Sequence, residues 1–434
     1  MRMCRHRFLF ILAAVSILGS AGALVAQRPN AFSGSYDHAA IRYTTHPVDT
    51  AVSRLNGDVE AGRVRLTFDA ATGYLTSLLA ALDVPRDSQM LVFSETSAQA
   101  TRINPRNPRA LFFNDVTMVD WVRGTDRLEV VTHDSRQGPI FYTLQQSPTE
   151  RPQLTRDNTC LQCHLSWDTL AVPGLMTIST FPMSDDKNAY ASGVVVDHRT
   201  PLDQRWGGWY VTGRAVPSRH FGNMPVIRPE RELSQPVAPA PRLGSVQGVV
   251  DTTNYLTLHS DVAALMVFAH QTHMTNLLTR LGWEARLAQV ELLSGKALTA
   301  NRVRQAAHDV ADYMLMLDEA PITEKMEGSS GFAERFSARG PKDSKGRSLR
   351  QLDLERRLFR YPCSYMIYAE AFDALPPSAK AAVYERLWEV LSGREARRSS
   401  VNLSPADRRA IVEILLDTKE DLPPYFQVAH LEGG

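Results

Sequence analysis

The sequence predicts an α+β protein, an antiparallel β-rich unit followed by an all-α unit. Three observations carry this. Short apolar runs, bounded by polar, Gly or Pro residues, recur through residues 61–213. Prolines then crowd residues 214–250, at Pro217, Pro225, Pro229, Pro236, Pro239 and Pro241. From about residue 251 onward the apolar residues return every three or four positions, the period of a helix. A chain of 434 residues is long enough for two units that each bury a core. Hydrophobic content of 44 % and charged content of 22 % are ordinary for a globular protein. A formal charge of +1 argues against a nucleic-acid partner held by bulk electrostatics.

Residues 1–26 read as an export signal. Arg2, Arg5 and Arg7 form a positive start, Phe8 to Leu18 an apolar core, and Ala21-Gly22-Ala23 or Ala26 a small-residue cleavage site. No later stretch is long and apolar enough to span a bilayer, so a periplasmic or otherwise exported protein without a transmembrane segment is expected. Residues 27–60 read as an N-terminal arm. Within 61–213, Arg63 to Phe68 alternates with period two, and Tyr74 to Leu82 suits a short helix. Leu91-Val92-Phe93 and Leu111-Phe112-Phe113 are strand candidates. Val116 to Val122 and Leu128 to Thr132 flank the hairpin turn Arg123-Gly124-Thr125-Asp126, and Ile140 to Leu144 adds another strand. Leu175–Ile178 then reads as extended, and Gly193–Val196 and Trp209–Val211 as further strands. Residues 214–250 read as a Pro-rich linker and 251–434 as the helical unit. Helices are expected over Asp261–Leu281, Asn301–Leu317 and Pro362–Leu375. Two more follow, one capped by Ser378 and ended by Gly393, one opened by Ser404-Pro405. Residues 319–348, rich in Gly, Ser, Lys and Arg, read as an exposed loop.

One pentapeptide carries chemistry: Cys160-Leu161-Gln162-Cys163-His164. This C-x-x-C-H spacing places two thiols on one helical turn, where each can form a thioether to a haem vinyl group, with the adjacent imidazole turned to the same porphyrin face. With 4 Cys and 12 His in the chain, a chance match is on the order of one in a thousand. Zinc needs further thiols or histidines at ligand spacing, and none lie close in sequence. A redox dithiol usually follows a strand in a βαβ pattern, whereas the polar run Arg151 to Thr159 comes first here. Once two cysteines carry haem, Cys363 has no partner and is expected as a buried, apolar-like residue.

In this pentapeptide and in its export signal the chain resembles the c-type cytochromes. The resemblance implies one covalent haem c on Cys160 and Cys163, with His164 as the proximal iron ligand. It implies one-electron transfer with a redox partner protein. A β-rich unit bearing one haem also resembles, more distantly, a group of cytochromes whose haem sits against an antiparallel sheet and is cross-linked to a lysine. Lys187 is the one lysine between the signal and the Pro-rich stretch.

The far side of the iron separates shuttle from enzyme, because a Met or His there closes the coordination sphere and an open face admits small molecules. Met224, beside Pro225 and sixty residues beyond His164, resembles the distal Met of small cytochromes. Met176 and Met183 lie nearer. His198, His220, His270 and His273 are the other candidates, and His270 and His273, three apart, share a helix face. Arg199, Arg205 and His270 would serve a haem enzyme as groups near a bound ligand. A haem sensor, in which the helical unit reads the haem's state, is the third class.

Overall fold

The computed structural model describes residues 31–180, 193–224, 240–293, 300–394 and 403–427. The proposed signal, Met183, Lys187, and Pro225, Pro229, Pro236 and Pro239 lie outside them. The architecture is α+β, with an antiparallel sheet in the first half and helices in the second.

Helix α1 (Ala51–Glu60) begins where Thr50 and Ser53 cap each other reciprocally, and α2 (Leu75–Ala81) follows. The main sheet has six strands in sequence order: β1 (Met90–Val92), β2 (Arg109–Phe113), β3 (Thr117–Trp121), β4 (Arg127–Asp134), β5 (Gly138–Gln145) and β6 (Thr155–Arg156). Every pairing is antiparallel. Gly124, at φ 79°, makes the turn between β3 and β4. Alternation then sorts side chains between two faces. Leu91, Phe112, Val119, Val130 and Tyr142 point into a core shared with α1 and α2. Met90, Leu111 and Phe113 point the other way, into a core shared with the helices.

A short helical turn, α3 (Leu161–His164), comes after the sheet, followed by a two-stranded ribbon, β7 (Ile178–Thr180) with β8 (Gly193–Val195). The second half is built on α4 (Val262–Leu293), which is 32 residues long. Helices α5 (Ala300–Met314), α6 (Phe332–Ala338) and α7 (Glu370–Asp373) pack around it. Helix α8 (Pro377–Leu391) lies against α5, and α9 (Pro405–Thr418) against α8. Helix α4 is not an amphipathic surface helix. Every residue from Val262 to Leu287 is buried, because the sheet takes one side and the helices the rest. Among the described residues, no helix is long and apolar enough to cross a membrane.

Helix α4 crosses one end of the sheet. The Asp261 N–H donates to the Gln89 carbonyl before β1, and Gln271 Nε2 donates to Asn114 O after β2 at 2.8 Å. Phe268 meets Phe113 with ring centroids 5.1 Å apart. At the β4–β5 hairpin the approach is close enough to require glycine. Gly138 sits at φ 85°, and a Cβ there would lie 2.5 Å from a Thr279 methyl. The opposite end of that sheet face is left for other material.

Several expectations need adjusting. Arg63 to Phe68 alternates as read, with Leu66 inward, but forms no strand, since no neighbour offers a ladder. Trp209–Val211 contributes a single bridge, Val92 to Trp209, rather than a strand. The arm holds α1 and buries Phe32, Ile41 and Tyr43. The loop expected over 319–348 contains α6, whose Phe332 and Phe336 are core residues. The helix expected over Pro362–Leu375 is a 3₁₀ turn, Tyr365–Tyr368, followed by the single turn α7. Of the expected linker, residues 214–224 and 240–250 are described, and Val216, Phe221, Val246 and Val250 are buried.

Truncating the aromatic that joins α4 to the sheet should cost the whole fold. We expect Phe268→Ala to lower unfolding stability by about 3–5 kcal/mol, read as a drop in urea midpoint with unchanged slope. A change below about 1 kcal/mol would mean that this contact does not join the two halves.

Candidate functional site

The pentapeptide sits beside the sheet edge made by β5 and β6. Asp157 ends the extended chain by accepting from the Thr159 N–H at 2.9 Å and the Thr159 hydroxyl at 2.6 Å. The chain then turns through a 3₁₀ segment, Asn158–Cys160, directly into α3. Cys160 and Cys163 therefore lie within one turn of the same short helical stretch, both as free thiols, Cys160 half-buried and Cys163 exposed. Burial, with the charges of Asp157 and Glu129, pushes the Cys160 thiol up to about 11. It stays protonated at neutral pH, unlike the lowered thiol of a redox dithiol. Among the described residues, no group of three or more His, Cys, Asp or Glu is arranged to hold a metal ion, so the dithiol has no partners that would complete a zinc site.

His164 is oriented from behind. Its Nδ1 lies 2.9 Å from the Gly174 carbonyl oxygen. A carbonyl only accepts, so Nδ1 carries the proton and Nε2 keeps its lone pair. The Phe141 ring of β5 packs on the imidazole, with centroids 4.9 Å apart. Burial holds His164 below the ordinary imidazole value, and the ring stays neutral. Gly174 is itself fixed. Asn276 of α4 accepts from the Leu175 N–H at 3.0 Å and donates to the Leu175 carbonyl at 2.6 Å. A Cβ on Gly174 would stand 2.4 Å from Asn276 Oδ1 and 2.8 Å from the Thr169 Cβ, so glycine alone fits. Nothing local in the sequence points to Asn276, which lies 101 residues beyond Leu175.

Beyond this turn, on the sheet face away from α1 and α2 and at the end α4 leaves free, stand four charged residues. Asp120 of β3 faces Glu129 of β4 directly across the ladder. Arg109 of β2 donates to Asp120 at 3.0 Å, and Arg127 starts β4. The buried atoms Arg109 Nε, Asp120 Oδ1 and Arg127 Nε have no hydrogen-bond partner. A buried polar atom left unpaired costs about 1–3 kcal/mol, so three in one patch mark a place that expects another polar group.

The residues present fit a covalent haem. They offer two thiols on one turn, an imidazole with its outer nitrogen free, and unpaired polar groups nearby. Met176 is half-buried two residues from Gly174. Met224 is buried, but its neighbour Asn223 bonds Trp209 and Val211, and Trp209 bridges to β1. That segment lies beyond β1, whereas His164 packs on β5.

A second cluster collects five of the other candidates. His198 and His270 share a proton between Nδ1 atoms 2.8 Å apart, and His270 Nε2 lies 2.7 Å from the Ser364 hydroxyl. Asp197 pairs with Arg199 at 2.6 Å, and Arg199 reaches His273 Nε2 at 3.1 Å. Tyr313 stacks on His198 with centroids 4.0 Å apart. Arg205 donates to the His198 carbonyl at 2.9 Å. Periodicity revealed that His270 and His273 share a helix face; no pattern announced Tyr313 or Ser364. His220 stands apart on Trp206, at 5.3 Å. Cys363 is buried, as expected.

No family model, no curated protein and no solved structure matches this chain.

Two expectations follow. Met224→Ala should leave any Met–iron charge-transfer band unchanged; its loss would require the iron to reach beyond β1. The second concerns acid. Burial holds His133, His198, His220, His270 and His273 below the ordinary imidazole value, with His133, His220 and His273 at about 4 and His270 at about 3. Unfolded histidines protonate below about 6.5, so between these limits the unfolded chain binds more protons and acid destabilises the fold. Burial pushes Asp120 and Glu319 up to about 7, which acts in the opposite sense but on fewer groups. The urea midpoint should therefore fall from about pH 7.5 to about pH 5.5, less steeply in His270→Asn. A flat profile would contradict the neutral cluster.

Proposed function

We propose that this chain is an exported mono-haem c-type cytochrome-like protein that transfers single electrons to and from a redox partner protein. The observation that carries the reading is the His164 Nδ1 contact to the Gly174 carbonyl. A backbone acceptor behind an imidazole sets the tautomer, aims the other nitrogen outward and raises its basicity, as the groups hydrogen-bonded behind metal-binding histidines do. Cys160 and Cys163 tether the haem, and His164 binds its iron. When bound, the haem supplies a one-electron couple. The chain's own contribution is to hold and bury it: Asn276 fixes Leu175, Gly174 fixes the imidazole, and Phe141 keeps water from the ring's flank. Exclusion of water on that side favours the less charged, reduced state.

A haem enzyme is the second reading, and one observation favours it. Arg199, Arg205, His198, His270 and His273 converge in one cluster, and His273 lies one helical turn from Asn276 on α4. Electron transfer stays ahead because most polar groups of this cluster are spent on one another, on Ser364 and on backbone carbonyls.

The test is mass and colour. Made in a host that attaches haem, the mature chain should gain the mass of one haem, and Cys160→Ser with Cys163→Ser should abolish the gain. Ferrous protein should give a low-spin spectrum that carbon monoxide leaves unchanged. Rapid carbon monoxide binding to a high-spin haem would move the enzyme to first place, and a colourless chain with both thiols free would end both readings.

A further inference from the structure

The hairpin between β4 and β5 meets the second half of α4 around a cation that has no counterion. Five arginines are buried among the described residues: Arg205, Arg280, Arg286, Arg350 and Arg386. Arg280, Arg350 and Arg386 each face a carboxylate, on Asp309, Asp115 and Asp312. Arg205 has no acid, but its three nitrogens reach Thr200 O, Met266 Sδ and His198 O. Arg286 has neither arrangement. It forms no ion pair with any described residue, its Nη2 donates to the Arg136 carbonyl, and its buried Nε has no partner. Asp134, the acid whose charge bears on it, is already committed to backbone. Its Oδ1 accepts from the Arg136 and Gln137 N–H groups at 2.9 and 2.7 Å, and its Oδ2 from the Asp49 N–H at 2.9 Å. A buried charge is costly unless it is paired and hydrogen-bonded.

The space beside Arg286 has the size of one small occupant. A cavity of about 10 Å³ lies between His133, Ser135 and Arg136 of the hairpin, Thr279 and Arg286 of α4, and Ala371 of α7. That is room for a single water-sized body. Gly282, one turn before Arg286, lets the guanidinium fold back along its own helix; a Cβ there would stand 3.4 Å from Nη1. No acid lines the cavity. Arg136 brings a second guanidinium. His133 Nε2 is buried and unpartnered, and a neutral imidazole can carry its proton on that nitrogen and donate. Burial, followed by the neighbouring Arg136 charge, draws the Arg286 guanidinium down to about 10, the response of a cation short of a counterion. We propose that this cavity binds a single-atom monovalent anion, chloride, held by Arg286 and Arg136 with His133 Nε2 as a third donor, and that the ion ties the β4–β5 hairpin to α4. Phosphate, sulfate and carboxylates carry several heavy atoms and are too large. Water fits but leaves the charge uncompensated. The site is independent of the haem reading.

The experiment compares full-length wild type, Arg286→Gln, Arg286→Lys, Arg136→Gln and the control Arg123→Gln in sodium chloride and in sodium gluconate at equal ionic strength. Gluconate has the same charge and cannot enter. Arg123 is already paired with Asp251 at 2.8 Å and lies over the Tyr255 ring. Two readouts apply: the chloride NMR line width, which broadens when the ion exchanges with a protein site, and the urea midpoint. Wild type should broaden the line, and a competing excess of bromide should narrow it again. For a Kd of about 10 mM, the folded-to-unfolded ratio should rise about tenfold on going from gluconate to about 100 mM chloride. Arg286→Gln should weaken chloride binding at least about tenfold, the value of a charge-assisted hydrogen bond. Arg136→Gln, at an exposed position, should weaken it about threefold. Arg286→Lys keeps the charge and should keep measurable binding, and Arg123→Gln should match wild type. A purely structural Arg286 would lower stability equally in both salts, so the difference between salts is what decides. If Arg286→Gln does not fold, Arg286→Lys and Arg136→Gln decide through the line width. Identical midpoints and line widths for wild type in the two salts overturn the site, as does full chloride dependence in both Arg286→Gln and Arg136→Gln.

Discussion

The structure depends on the burial of α4. A helix sealed on all sides from Val262 to Leu287 cannot reach solvent, so the hydrogen bonds its polar groups make are made inside the protein. It carries several: His270, Gln271, Thr272, His273, Asn276 and Arg280. Their partners come from far along the chain. Gln271 binds the end of β2, Asn276 binds the backbone after the Cys160–His164 turn, and His270 binds His198 and Ser364. The hydrophobic term drives the helix inside, and the unmatched polar groups then dictate which segments accompany it. Sheet and helices are joined by both effects.

The same demand divides the polar residues into two kinds. Around His270 the groups largely satisfy one another, and the cluster reads as a buried network that fixes how the segment 197–205 meets α4 and α5. Around Arg109 and Asp120 they do not, and the unpaired atoms lie in a row beside two thiols and an imidazole. A network that closes on itself favours a structural account; one that stays open is a local cost that the rest of the fold must offset.

How far the sequence could be read follows from the range of the forces involved. Cys160, Cys163 and His164 were legible because their chemistry is local: five consecutive residues on one turn. The hairpin between β3 and β4 was legible for the same reason, as was the turn from Ser404-Pro405 into α9. Arg63 to Phe68 looked like a strand because alternation reports which side is buried, not whether a ladder neighbour exists. Helix α4 was visible, yet its function as a shared support was not, because all-round burial erases the polar stripe that would have shown where its partners lie. Gly174 and Asn276 illustrate the limit. Neither is unusual alone, and their contact exists only once chain segments 101 residues apart are brought together.

That separation has a consequence for biogenesis. The cysteines emerge from the ribosome well before α4 does, so a nascent chain can present its thiols while the imidazole beside them still lacks a fixed direction. Alignment of His164 Nε2 waits for the C-terminal half to dock and close the hydrogen bonds on Leu175. Under the proposed haem reading, truncation ahead of α4 would leave a polypeptide able to be tagged with pigment but unable to set its axial geometry.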